Sequence, residues 1–262
     1  MSTPTLTRPA HRGGLRAYRA TTIRLLRQLR ADHRTVGMIL VVPSMLMVLL
    51  WLIYRDYPTP PGRPTMFDFV GMTMLGIIPF IMMFLITAIA MQRERTTGTL
   101  ERLMTTPMSK LDLLGGYATA FSAAATAQAV LACLVAFGLL GLDSAGNPGW
   151  VILVAVVNAI LGVALGLLAS AFARTEFQAV QFMPVVVIPQ LFLCGLLVPR
   201  DQLPTWLEWI SNVLPLSYAV DALQQLGAAG ATLRMWRDVV IVAGFAIVAL
   251  CLGAATLRRR TP

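Results

Sequence analysis
Gly149 to Phe172 reads GWVILVAVVNAILGVALGLLASAF, without a single charge. It lies inside a run of 30 uncharged residues between Asp143 and Arg174. A helix crosses the about 30 Å hydrocarbon core of a bilayer with about 20 mostly apolar residues, so this stretch is long enough to span. Charges delimit five more such runs on either side. There are 20 uncharged residues between Arg34 and Arg55, 24 between Asp68 and Arg93, 30 between Asp112 and Asp143, 23 between Glu176 and Arg200, and 19 from Val239 to Leu257. Six spans are expected, at about 37–54, 70–91, 117–140, 150–173, 179–198 and 239–257. Backbone polar groups find no water in lipid, so each span satisfies its own as a helix, and the expected fold is an all-α polytopic membrane protein.

The composition agrees. Of 262 residues, 57% are hydrophobic and 13% charged, against about 45–50% and about 25% in an ordinary soluble domain. This excludes a disordered chain, a disulfide-stapled secreted module and an ordinary soluble enzyme. The net charge of +9 belongs to arginines beside apolar runs, which points to a membrane surface and not to nucleic acid. Sixteen basic residues fall on one side of the six spans and five on the other, so both termini are expected in the cytoplasm. The basic start resembles a signal peptide, but the first apolar run is long for one and no small-residue cleavage site follows at Tyr54-Arg55-Asp56-Tyr57-Pro58, so it reads as retained.

The organisation expected is a basic tail with an amphipathic helix over 1–36, a six-helix unit over 37–257, and a cytoplasmic tail over 258–262. Within Leu15 to Arg34, Leu15, Tyr18, Thr22, Leu26 and Leu29 recur at three and four, the spacing of an interfacial helix that would lie on membrane lipid; the alternative is a basic topology tag.

Reactive groups are scarce. The chain has one lysine, Lys110, preceded by Ser109, so it holds no Gly-Lys-[Ser/Thr] phosphate loop, and ATP would bind another polypeptide. Cys133, Cys194 and Cys251 lie in apolar runs, far in sequence from His11 and His33, so no metal site is expected. No Asp, Glu, Lys, Arg or His falls within the six uncharged runs, which argues against a proton-driven antiporter. With no catalytic set, a transporter powered from outside the chain fits best. Gln128, Asn158, Gln181 and Gln190 are the polar residues left in the spans. They either line a substrate pathway or bond a neighbouring helix. Gly162 and Gly166, followed by Ser170, form a small-residue ridge for close helix contact within or between subunits, with the alanines of 118–129 as a matching smooth face.

Two loops stand out. In the stretch 92–112, Gly98 starts a short helix that Thr99 to Met104 continue; Leu100, Leu103 and Met104 share one face, and Pro107 breaks it. Ser109 with Asp112 makes a capping box for the next span. Such a helix either enters a groove on a soluble partner or lies on the bilayer. In 199–220, Pro204 and Pro215 break an apolar stretch in which Trp206, Trp209 and Tyr218 suit the membrane interface. Short re-entrant helices would satisfy it, as an outer gate or a static cap.

The run Glu94-Arg95-Thr96-Thr97-Gly98-Thr99-Leu100-Glu101-Arg102-Leu103, continuing through Thr106-Pro107-Met108-Ser109, resembles the cytoplasmic motif of type-2 ATP-binding-cassette (ABC) permeases. Gly195 to Pro199, Pro204 to Leu207 and Leu214 to Val220 resemble their late extracellular motif. The likeness is nearest to the bacterial daunorubicin and multidrug-resistance branch, and Thr97 stands where that motif often has an acidic residue. The resemblance implies a permease subunit of the bacterial plasma membrane, paired with a second permease and two ATPase subunits, which would hold the ATP and Mg. Catalytic residues and cofactors on this chain would be none. It implies export of drugs or other hydrophobic molecules, with a glycolipid or lipid-linked polysaccharide as the alternative cargo and an ATP-independent channel or carrier as a remote one. Glu94, Arg95, Gly98, Thr99, Leu100, Glu101, Arg102, Leu103, Met104 and Pro107 would make the ATPase contact, with Leu100 and Leu103 in its groove and Glu94, Glu101 and Arg102 fixing the register. Gly195, Pro199, Pro204, Trp206, Trp209, Pro215 and Tyr218 would form the extracellular gate.

Overall fold
The computed structural model describes residues 12–60, 64–99 and 109–256. Among the described residues there is no strand. The helices are α1 (Arg12–Ala31), α2 (His33–Tyr54), α3 (Met66–Thr96), α4 (Lys110–Gly138), α5 (Pro148–Ala169), α6 (Glu176–Leu193), α7 (Thr205–Val213), α8 (Pro215–Ala228) and α9 (Leu233–Thr256), with a 3-10 turn at Arg200–Gln202. Six of them, α2, α3, α4, α5, α6 and α9, are long and apolar enough to cross a membrane.

Side-chain caps set most of the starts. The Asp32 carboxylate accepts the Thr35 N–H at 3.1 Å and so opens α2 one residue after α1 ends. A bond from the Thr35 hydroxyl at 2.7 Å, together with that N–H, holds the Asp32 carboxyl below its ordinary value. Thr65 with Asp68 and Ser109 with Asp112 form complete capping boxes for α3 and α4. Asn147 caps α5, with Pro148 in its first turn. The helices overrun the apolar runs. At 31 residues, α3 is about 46 Å long at about 1.5 Å per residue, so it exceeds the hydrocarbon core and carries Arg93 and Arg95 in its last turn. In the other direction, α6 ends at Leu193, short of the expected 198, and the chain turns at Gly195 with φ +91.

Helix α5 is the centre and packs against α3, α4, α8 and α9. Its small-residue ridge meets α3 within this chain. A Cβ at Gly162 would collide with the Phe80 carbonyl, and one at Gly166 would stand 2.5 Å from the Phe84 carbonyl oxygen. The ridge therefore seats on the backbone of α3, not on the alanines of α4 as its composition had suggested. Close backbone approach of this kind is how helices associate where lipid provides no hydrophobic drive. By contrast, α2 and α6 bury only a narrow side each and turn Met38, Val41, Met45, Leu49, Val185 and Phe192 outward.

Helix α1 lies across α4. Tyr18 rests on Gly115, Thr21 on Gly116, and the Tyr18 hydroxyl meets that of Thr119 at 2.6 Å. Thr21 and Leu25 are buried, while Leu15 and Leu26 of the stripe expected to meet lipid are exposed. The smooth glycine pair on α4 selects the face, and Leu15, Ile23 and Leu26 are left outward. The helix runs from Arg12 to Ala31 and not to Arg34, because Asp32 caps the next one.

Candidate functional site
Two polar constellations sit at opposite ends of the bundle. At the basic end, α1, α3 and α4 are tied by three side chains. The Arg24 guanidinium donates to the Tyr117 hydroxyl at 2.8 Å, and the same nitrogen stands 3.7 Å from Glu94 Oε1. Tyr117 is fully buried, and Glu94 is only 8% exposed. Arg93 pairs with Glu176 at 3.3 Å and links the end of α3 to the start of α6. Thr97 caps α3, and its hydroxyl donates to the Arg93 carbonyl at 2.9 Å. Gly98 follows with φ +72, a left-handed conformation that favours glycine. It therefore marks the end of α3. Thr99 meets the Thr97 hydroxyl at 3.0 Å. Leu100, Glu101, Arg102, Leu103, Met104 and Pro107 lie outside the described residues. Ser109 and Asp112 then restart the chain as α4. Arg95 is half-buried and has two nitrogens without a partner among the described residues.

At the opposite end Arg200 is a hub. Its guanidinium pairs with Asp221 on α8 and donates to the Asn212 side chain, its Nε donates to the Ser211 hydroxyl at 2.9 Å, and its charge lies 5.2 Å from the Tyr218 ring. Ser211 donates onward to the Leu193 carbonyl at 2.8 Å, and the Tyr218 hydroxyl donates to the Asn212 carbonyl at 2.7 Å. Pro204 caps α7 and Pro215 opens α8, so both prolines act as helix boundaries. Pro199 caps the 3-10 turn, and Trp206 and Trp209 point outward. A cavity of about 710 Å³ opens beside the hub, with Glu208, Asp221, Arg234 and Arg237 on its walls. Burial raises the Asp221 carboxyl above its ordinary value, and Arg200 opposes that shift. The fully buried Asp238 is held by Arg237 at 3.0 Å and Gln225 at 2.9 Å.

The four polar span residues do not converge. Asn158 is fully buried and donates to the Gly76 carbonyl at 2.8 Å, which fastens α5 to α3. Gln190 donates to the Val186 carbonyl at 2.9 Å and accepts from Leu216 N–H at 3.3 Å, which fastens α6 to α8. Gln181 is exposed on α6. Gln128 is 1% exposed, and neither end of its amide has a partner among the described residues.

The model of the ABC-2 type transporter family matches residues 16–226, from α1 through most of α8. The chain belongs to the ABC-2 type transporter family. It is 27% identical over 208 residues to "ABC transporter G family member 20" of Dictyostelium discoideum, covering 78% of this chain and 28% of that protein. It is 26% identical over 180 residues to "Probable multidrug ABC transporter permease YbhR" of Escherichia coli (strain K12), covering 67% and 49%. It is 28% identical over 194 residues to "Linearmycin resistance permease protein LnrN" of Bacillus subtilis (strain 168), covering 72% and 47%. These matches span less than half the length of each relative. This ABC-2 permease is thus a multi-pass membrane protein of a family that works with ATPase subunits.

Several residues of the two constellations escape a reading by motif. Arg24 sits among seven other arginines ahead of the first span, and Tyr117 in an apolar run. Arg200 and Asp221 look like loop charges 21 positions apart. A charge next to a proline break, as in Pro199-Arg200, is the one local signal that could have found the hub. Glu94 was expected to fix the register of a partner contact. In the permease it is turned inward, because Arg24 and the helix crossing above it cover the side chain.

Proposed function
We propose that this ABC-2 permease is the membrane half of an ATP-driven exporter for drugs or other hydrophobic and amphipathic molecules in a bacterial plasma membrane. The reading is carried by one observation: α3 runs past the bundle to a glycine-terminated end at Gly98, and a capping box restarts α4 at Ser109. The ends of the segment between them are thereby held on rigid helices at the basic end, and its sequence has the coupling motif. Leu100 and Leu103 fill a groove on each of two ATPase subunits, which bind ATP and Mg, while Glu101 and Arg102 set the register. The permease pairs with a second copy, and both termini are cytoplasmic. ATP-driven closure of the ATPases pushes on this segment, and the push reaches α1 and α4 through Glu94, Arg24 and Tyr117. The cap over 199–220 is the outer gate, with Arg200 as its latch. The names of the multidrug and linearmycin-resistance relatives support the cargo class. Leu100→Asp is expected to abolish copurification of the ATPase and its stimulation by the permease. Unchanged binding and stimulation, or uptake into vesicles by this chain alone, overturns the reading.

A further inference from the structure
A cavity of about 200 Å³ lies at the junction of α1, α2, α3 and α4. Its lower wall is polar, with Glu94, Asp32 and the Tyr117 hydroxyl; its upper wall is apolar, with Met38, Ile86 and Phe121. Glu94 is largely buried, its side chain 11% exposed, and its Oε2 has no hydrogen-bond partner among the described residues. The Arg24 nitrogen beside it is 3.7 Å from the other oxygen, beyond hydrogen-bond range, and bonds Tyr117 instead. A buried carboxylate oxygen left without a donor is costly, so such an atom marks a place for a group not yet counted. A carboxylate only accepts, so the missing group must donate. Among the described residues Arg93 is the one guanidinium on the wall, and it is paired with Glu176. The carboxylates on the wall, Glu94 and Asp32, offer acceptors only, which locally disfavours an anion and favours a cationic donor. The apolar roof adds the second requirement, a hydrocarbon body.

We propose that this cavity binds the protonated amine of an amphiphile, with the ammonium on Glu94 Oε2 and the first carbons of its tail against Ile86 and Phe121. Polar floor and apolar roof follow the gradient of one bilayer leaflet, so the ligand enters in the orientation it has in the membrane. Its source is either the headgroup of an amine-bearing phospholipid or a free lipophilic amine; the chemistry is shared. The site goes beyond the export reading, and binding is measured on the permease alone, so either idea can fail without the other.

The test is equilibrium binding of radiolabelled dodecylamine to the full chain in phosphatidylcholine nanodiscs, with dodecanol as the uncharged competitor. Saturable binding at about one amine per chain is expected, with dodecanol at least about tenfold weaker. Glu94→Gln is expected to weaken the amine about tenfold. Ile86→Trp, which fills the roof and leaves the carboxylate in place, is expected to weaken both compounds. Equal affinity for amine and alcohol, affinity unchanged in both variants, or displacement of the amine by dodecyl phosphate at equal concentration overturns the proposal. A repeat in discs half of phosphatidylethanolamine assigns the source: loss of dodecylamine binding identifies a lipid headgroup as the occupant, and unchanged binding identifies a free amine. Both results require the ammonium site.

Discussion
Gln128 poses the sharpest question at the level of a single residue. An amide with both ends unpaired in the core of a helix bundle costs about 1–3 kcal/mol per unsatisfied group, and Gln128 is 1% exposed. Asn158 and Gln190 reach neighbouring helices through the Gly76 carbonyl and the Leu216 N–H, and so act as fasteners between helices. The sequence reading leaves Gln128 two roles, a place on a substrate pathway or a bond to a neighbouring helix, and the first requires that a cargo molecule supply its missing partner. Gln128→Leu, close in volume and apolar, is therefore expected to raise thermal stability by about 1 kcal/mol and to lower transport severalfold. Unfolding in detergent and drug efflux from cells read the two effects separately. A variant that is more stable and transports normally shows that Gln128 serves packing alone.

Among the elements, the contrast is between helices held by backbone proximity and a cap held by charge. Helix α5 seats on α3 through Gly162 and Gly166, with Thr87 beside Gly166 and Asn158 bonded to the Gly76 carbonyl. The cap of the 3-10 turn, α7 and the start of α8 has Arg200 binding three partners at once, with its side chain 13% exposed and Asp221 16% exposed. Removing one member of such a largely buried pair leaves the other without compensation, at a cost of about 3 kcal/mol. Arg200→Ala should release the cap without unfolding the bundle. The expected readout is faster protease cleavage between Pro199 and Val213, with helix content by circular dichroism unchanged; equal cleavage in both proteins rules out a latch. Span number was legible because lipid requires each helix to be continuous and apolar, and arginines and aspartates punctuate the six runs. Helix ends were less so. Lys110 to Gly116, Gln92 to Thr96 and Leu233 to Asp238 are helical while being polar or glycine-rich, since caps and neighbours, not hydropathy, set those limits. The side of α1 that meets the bundle was not legible for a similar reason: periodicity marks an apolar arc, but Gly115 and Gly116 on another helix decide which residues are buried against protein. Arg24, Tyr117 and Glu94 are brought together over 93 positions, a distance at which no local spacing rule operates.

On the scale of the whole molecule, every argument about coupling and gating depends on which end faces the cytoplasm. The basic end holds α1 with its arginines, the Arg93–Glu176 pair and the start of α4; the other holds the Arg200 cap and the start of α9. Inward placement of the end richer in arginine follows from the cost of moving such charges across the bilayer during insertion. The expected orientation can be read with two exposed positions, Arg16 on α1 and Asp201 in the 3-10 turn. Cys133 and Cys194 are buried, so only the exposed Cys251 needs replacement by alanine. In that background, a membrane-impermeant maleimide applied to intact cells should label Asp201→Cys and leave Arg16→Cys unmodified until the membrane is opened. If Arg16→Cys reacts first, the basic end faces outward, no cytosolic ATPase can reach the segment after Gly98, and the coupling role passes to the Arg200 cap. A permease labelled at neither position in intact cells but at both after lysis belongs to an internal membrane, with its outer cap towards a lumen.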